Sequence, residues 1–266
     1  MRLFLASMMM IFLVSCDKSI QVELPPYESE YAIEMYLEQG KPLRCLIIES
    51  LPYTDTAINK PVHDALVLIS EGMRTDTLRY LVNQDLSTGR YYNYYSPRII
   101  PYDTTKVYTL TVIGKNQKIT GNTNFSQTKT FIDSLIIRES INEADSFSVG
   151  VIITDAPDKE NYYRFLVSKN MGSFTSDPTD IRVSDLSFNG KPFSFFSEPN
   201  FAINDTVAIR IYSLHKDYYQ YLESIANARR SNYNPFSQPS RIKSNVNGGL
   251  GIFTAIRYTE REIVIK

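Results

Sequence analysis

Tryptophan is absent from this 266-residue chain, and cysteine and histidine occur only twice each. Without Trp, a stacking platform for sugar rings is a weak expectation. His63 and His215 lie far apart and belong to no His-Glu-x-x-His or similar spacing, so no metal site is expected. Each reads as an exposed or capping histidine. Cys45 has no intrachain partner once Cys16 is committed elsewhere, as argued below. The fold is therefore expected to lack disulfides, with Cys45 a small buried hydrophobe in a strand. An excess of one charge is also missing: 28 Lys+Arg stand against 29 Asp+Glu, which gives no case for nucleic acid or for a polybasic membrane patch. No Gly-x-Ser-x-Gly elbow, Walker loop or dinucleotide glycine fingerprint occurs, so neither catalytic residues nor cofactors are expected. Asp155, Asp158 and Glu160 are acidic neighbours without the ligand ladder of an EF-hand, and read as a solvated hairpin tip. Separated carboxylates form a glycosidase pair at any sequence spacing, which keeps a surface hydrolase as the least favoured reading.

A run long enough to cross a membrane is missing at the start. Leu3–Val14 is apolar apart from Ala6 and Ser7, and its roughly twelve residues fall short of the ~20 that a ~30 Å bilayer core requires. With Arg2 before it, residues 1–15 read as a signal peptide. Leu13-Val14-Ser15-Cys16 is a bacterial lipobox, which predicts cleavage before Cys16, a diacylglycerol on its sulfur and acylation of the new amino terminus. Residues 16–30 form the lipidated tether, polar at Asp17, Lys18 and Ser19 and stiffened by Pro25-Pro26. The expected location is the outer membrane, facing either the periplasm or the cell exterior.

What is abundant is Tyr, at 19 residues, together with Thr, Ser and Asn, a composition suited to β-structure. Residues 31–126 present seven short strands, over Tyr31–Leu37, Leu43–Glu49, Val62–Ser70, Thr75–Val82, Tyr91–Ser96, Lys106–Gly114 and Gln117–Thr123. This is the pattern of an Ig-like or transthyretin-like β-sandwich. Residues 127–266 read as a second β-rich domain, with strands at Phe131–Glu139, Ser146–Asp155, Tyr162–Lys169, Asp180–Phe188 and Thr206–Ser213. Ala156–Asn161 is expected as a hairpin connection, Met171–Pro178 and Asn189–Asn200 as long loops. The chain should end in two strands, Gly251–Tyr258 and Arg261–Lys266, around a turn at Thr259-Glu260. One helix is predicted at about 214–230, from Leu214, Tyr218, Tyr221, Leu222 and Ile225, with Ser213 as N-cap and Asn234-Pro235-Phe236 as its stop.

Four stretches in order carry a likeness: the lipobox and tether leading into Tyr31-Ala32-Ile33; Asp155–Phe165 around Asn161-Tyr162-Tyr163; Tyr218–Leu222; and Asn234–Pro239 through Asn245–Phe253. Together they resemble the Bacteroidota lipoprotein family known as domain of unknown function 4249. That resemblance implies a mainly β outer-membrane lipoprotein with one helix, commonly encoded beside TonB-dependent transporters. It brings no catalytic or ligand residues. Asn161-Tyr162-Tyr163 and Gly248–Phe253 read as structural: a side-chain-closed turn, and glycines passing close to another backbone.

Two aromatic clusters exceed what one core face absorbs. Tyr91, Tyr92, Tyr94 and Tyr95, and Phe193, Phe195 and Phe196, are therefore the candidate ligand or partner contacts. The expected function is a non-enzymatic accessory lipoprotein that captures ligand for, or covers, a TonB-dependent transporter, its ligand unnamed. The alternative is an envelope scaffold or adhesin.

Overall fold

The computed structural model describes residues 27–52, 60–114, 116–157, 159–169, 179–232 and 240–266. The signal peptide, Cys16, most of the tether, the loop 171–178, Asp158 and the expected stop at 234–236 lie outside the described residues. Among the described residues, no helix is long and apolar enough to cross a membrane.

Among the described residues the chain is mainly β with one α-helix, α1 (Lys216–Asn232). All seven strands expected in the first block form: β1 (Tyr31–Glu38), β2 (Pro42–Glu49), β4 (Leu66–Glu71), β5 (Arg74–Asp85), β6 (Arg90–Ile99), β7 (Val107–Ile113) and β8 (Lys118–Asn124), with a two-residue β3 (Lys60–Pro61) beside β2. Period-2 alternation makes their core. On β1, Ile33, Met35 and Leu37 point inward, joining Cys45 and Ile47 of β2, Val67 and Ile69 of β4, and Tyr108, Leu110 and Val112 of β7. Cys45 is fully buried, and that burial drives its thiol pKa far up, so it packs as a hydrophobe.

Two long strands join the layers. The first part of β5 pairs with β4 and its later part with β6, the register slipping between Tyr80 and Asn83. The second is β15 (Leu250–Val264). Its first half lies parallel to β1, from Ala32↔Leu250 to Glu38↔Ile256, and places Phe253 and Ala255 in the first core. Its second half runs antiparallel to β14 (Thr206–Leu214). The turn expected at Thr259-Glu260 is thus absent. β14 lies alongside without a break, pairing Ile211 with Thr259 and Arg210 with Glu260, and the ladder keeps the backbone extended. Around the first core, a bridge between Thr120 and Asn247 draws the approach to β15 against β8.

The second core lies between two sheets. One is three-stranded, made of β9 (Ser134–Glu139), β10 (Phe147–Thr154) and β13 (Pro192–Phe196). The other contains β11 (Tyr162–Ser168), β12 (Thr179–Ser184), β14 and the end of β15. Val149, Val151 and Ile153 meet Phe165, Ile209 and Ile211 across the gap. Part of the stretch expected as the loop Asn189–Asn200 is strand β13, because Phe193 and Phe195 bury against this core and its backbone pairs with β10. The strand expected over Asp180–Phe188 ends at Ser184, in a 3-10 turn (Asp185–Ser187). Ala156–Asn161 is not a hairpin. The strands it joins belong to different sheets, so it is a corner between layers, closed by Asn161 Nδ2 donating to the carbonyls of Ala156 (2.9 Å) and Lys159 (2.8 Å). Asp155 is buried there and accepts from Tyr163 Oη and from the Gly190 amide at 2.8 Å, so it is not a solvated tip.

Helix α1 begins two residues later than expected. Ser213 stays in β14, with its Oγ 2.6 Å from Thr130 Oγ1, and the His215 carbonyl accepts from the Tyr219 amide at 3.0 Å, which makes His215 the cap. The helix lies on the sheet face opposite both sandwich cores, its Tyr218 and Tyr221 packing on Tyr36, Tyr162, Tyr212, Ile252 and Ile256.

Asn93 holds β6 to β2 where their ladder stops. Fully buried, it accepts from the Ile47 amide (2.8 Å) and donates to the carbonyls of Ile47 and Val62 (both 2.8 Å). Asn93→Ala strands two buried backbone groups, the Ile47 amide and the Val62 carbonyl, while the Ile47 carbonyl keeps the Val62 amide at 3.0 Å. The expected loss is about 3 kcal/mol, read as a lowered urea midpoint with unchanged slope. A loss below about 1 kcal/mol would mean that water replaces the amide.

Candidate functional site

The structure separates the aromatic candidates. Tyr94 lies in the first core, where its Oη accepts from the Ala65 amide at 3.0 Å. Tyr92 is buried under Arg44, whose guanidinium sits 4.7 Å from the ring centroid. Phe195 is in the second core with Phe193 packed against it, and Phe196 lies half-buried below Arg138, 4.2 Å from its ring. Tyr95 is half-buried, and Tyr91 is 60% exposed. The two clusters lie in different sheets. The free aromatic surface is thus on the β5–β6 hairpin, where the slipped register turns Leu81 and Val82 outward beside Tyr80, with Leu86 exposed at the tip and Tyr91 following it.

A second feature was not expected from the sequence. The sheet face beneath α1 alternates out of phase with the cores and is rich in Arg and Tyr. Arg44 on β2, Arg164 on β11, Arg182 on β12 and Arg210 on β14 are flanked in sequence by residues of the cores or packed against them. Four of the face's arginines have carboxylates within reach. Arg44 bonds Asp85 at 2.7 Å. Burial alone would raise the Asp85 pKa, but hydrogen bonds from Ser87 and Arg44 outweigh it and bring the carboxyl down to about 2. Arg164 grips Asp180 through both Nε (2.8 Å) and Nη2 (3.0 Å), and Arg210 pairs with Glu260. Arg182 donates to the Leu222 carbonyl at 2.8 Å, while its buried Nε faces Glu223 at 3.5 Å and Asp180 at 3.8 Å without a hydrogen bond to either.

Arg90, at the start of β6, differs. Its guanidinium lies 4.1 Å from the Tyr36 ring centroid and donates to Tyr218 Oη at 3.4 Å, while the carboxylate opposite it on β5, Asp85, is taken by Arg44. Burial opposes its charge, and the surrounding phenols of Tyr218, Tyr36, Tyr92 and Tyr212 more than offset that, so it stays cationic. Arg90, Arg164 and Arg182 line a cleft of about 380 Å³ at the flank of α1, with Arg229 from the helix and with Glu34 and Asp180. Tyr36 and Tyr221 donate to the two oxygens of Glu34 at 3.1 and 3.0 Å. Burial, with Tyr218 beside Tyr36 and Glu34 beside Tyr221, pushes both phenol pKa values up, so they remain donors.

The two histidines stand apart from this cleft. His63 is exposed, with its ring 6.2 Å from that of Tyr80. His215 sits between the sandwiches, its Nε2 2.7 Å from the Asn124 carbonyl; burial lowers its pKa despite that bond, which favours the neutral ring with the proton on Nε2. Asn161, Tyr162 and Tyr163 line a smaller hollow next to it, where Glu160 is engaged by Tyr162 Oη and by Lys216 Nζ at 3.0 Å.

Fold and site together define a β-protein of two sandwich-like units joined through the shared strand β15, with helix α1 roofing an arginine-lined cleft. The chain belongs to the DUF4249 family, described as a domain of unknown function, whose family model matches residues 17–262. No curated protein matches it.

Proposed function

We propose that this chain is a non-enzymatic, lipid-anchored outer-membrane protein that works as an accessory to a TonB-dependent transporter, holding ligand or partner at the membrane surface. The observation that carries the reading is the β5–β6 hairpin, which presents Leu81, Val82, Leu86 and Tyr91 to solvent beyond the first core. Contiguous apolar side chains of this kind mark interaction surfaces. The lipobox at Leu13–Cys16 and the transporter genes that accompany the resembling family supply the membrane and the partner class. Anchoring confines both proteins to one membrane and so raises their effective concentration without any new contact.

The test is a C-terminally tagged full-length chain extracted from outer membranes in mild detergent. A TonB-dependent transporter is expected in stoichiometric yield. Leu81→Asp with Tyr91→Ala should lower its recovery about tenfold, roughly 1.4 kcal/mol, while the melting temperature holds. Recovery of the lipoprotein alone, with the transporter present in the input, would replace this reading with an envelope scaffold or adhesin.

A further inference from the structure

We infer that the cleft between α1 and the sheet binds a small organic oxyanion, a carboxylate or a phosphate ester, with Arg90 as its main anchor. This concerns the ligand and stands whether or not the transporter association holds. The cleft carries four guanidinium groups, from Arg90, Arg164, Arg182 and Arg229, against two carboxylates, from Glu34 and Asp180. Both carboxylates are already engaged: Asp180 by Arg164 in a two-point grip, Glu34 by the hydroxyls of Tyr36 and Tyr221. Phenol hydroxyls do not cancel the Glu34 charge, yet the four guanidinium groups still outnumber the two carboxylates, and Arg90 and Arg229 both have donors left for a ligand. Arg229 is exposed in the last turn of α1 and, among the described residues, makes no hydrogen bond or ion pair.

Arg90 bears the stronger argument. A guanidinium carries five N–H donors. Among the described residues Arg90 uses one of them, on Tyr218 Oη, and its guanidinium lies over the Tyr36 ring. Arg90 is half-buried, and the carboxylates nearest it, Asp85 and Glu34, are engaged by Arg44 and by phenols, whereas every other arginine of this face that lies between strands has a carboxylate or a carbonyl bonded to it. Arg164 and Arg182 stand directly opposite one another on adjacent strands, a like-charge pairing that is unfavourable unless an anion sits between or above them. Asp180 serves Arg164, and the Arg182 Nε is left without a hydrogen bond. An oxyanion entering the cleft supplies acceptors to these donors. Planar forks of this type match carboxylate and phosphate oxygens two at a time.

The remaining wall sets the body of the ligand. Leu222, Ile225 and Ala226 of α1 line one side and the phenols of Tyr36 and Tyr221 another, so an apolar or ring-shaped body suits the space better than a highly charged one. A volume of about 380 Å³ lies near the lower end of small-molecule sites, which excludes a polymer as the enclosed group.

The test titrates the detergent-purified full chain at low salt with benzoate, phenyl phosphate, glucuronate and inorganic phosphate, and with benzyl alcohol and glucose as neutral counterparts. Calorimetry is the readout. At least one anion is expected to bind at least about tenfold more tightly than its neutral counterpart, and 0.5 M NaCl should weaken it. Phenyl phosphate ahead of benzoate assigns a phosphate ester, the reverse a carboxylate, and inorganic phosphate binding as well as phenyl phosphate shows that the apolar wall adds nothing. Arg229→Glu, an exposed change that leaves the core untouched, and Arg90→Met should each weaken binding about tenfold or more. Lys41→Glu, half-buried at the β1–β2 turn and outside the cleft, should not. No anion binding up to about 10 mM, or binding indifferent to Arg229→Glu and to a folded Arg90→Met, overturns the inference.

Discussion

Alanine at position 251 is expected to prevent β15 from docking and to unfold much of the chain. Gly251 has φ +114°, a conformation L-residues rarely adopt. A Cβ there would lie 1.9 Å from the Ile33 carbonyl oxygen and 2.8 Å from that residue's carbonyl carbon and amide nitrogen. These are backbone atoms of β1, Gly251's partner strand, so no side chain can swing away and the pair must separate. Separation exposes Phe253 and Ala255 of the first core and pulls on the second half of the same strand. The expected loss is about 4 kcal/mol or more, enough to leave many domains unfolded. Gly40→Ala isolates the backbone contribution. Its φ is +74° but nothing lies within 4 Å, so a loss nearer 1 kcal/mol is expected. Chemical denaturation of both variants decides the matter: equal, small losses would show that β1 and β15 yield easily.

Serine at position 16 is expected to abolish membrane anchoring through lipid. Each buried methylene contributes about 0.8 kcal/mol, so three acyl chains of ordinary length exceed about 30 kcal/mol. No surface contact of a domain this size replaces that. Metabolic labelling with a tagged fatty acid should mark the wild-type chain and give no signal in Cys16→Ser, whose signal peptide should also remain uncleaved. The lipobox reading fails if label persists in the variant, or if the mature amino terminus maps away from Cys16.

Much of the fold was legible in the sequence because alternation reports burial directly. Ile33-Glu34-Met35-Tyr36-Leu37 and Leu43-Arg44-Cys45 name their inward faces residue by residue, and all seven strands of the first block follow. The errors share one cause: local pattern carries no information about the neighbouring strand. Phe193-Ser194-Phe195-Phe196 sits among Pro, Ser and Asn and resembles a loop until β10 supplies its ladder. Thr259-Glu260 has turn-like composition, yet β14 holds it extended. Ser213 has the chemistry of a helix cap, but its hydroxyl meets Thr130 from 83 residues away.

The candidate site was less legible. Tyr91–Tyr95 and Phe193–Phe196 stood out as clusters, but clustering does not say which rings the cores absorb, and Tyr92, Tyr94 and Phe195 are buried. Arg90, Arg164, Arg182 and Arg229 are scattered over four elements, and nothing local gathers them. The available signal was the wrong residue type on the right period. Arg164 in Tyr163-Arg164-Phe165 and Arg182 in Ile181-Arg182-Val183 place a cation on a strand's second face, and Tyr218 and Tyr221 put rings on the helix stripe that covers it.

The sharing of β15 between the sandwiches bears on how the chain is made. Ala32 at the start of the first unit meets Leu250, far later in the chain, so the first core stays incomplete until β15 has emerged. Ile33, Met35 and Leu37 thus lack Phe253 and Ala255 until those far later residues are made. Such a long loop closure is slow, and the waiting half exposes apolar surface in the meantime. If the chain is exported and acylated as proposed, its amino terminus is the first part to reach the membrane and leads into the sandwich that waits longest to close. A nonsense codon anywhere before residue 250 leaves neither sandwich whole.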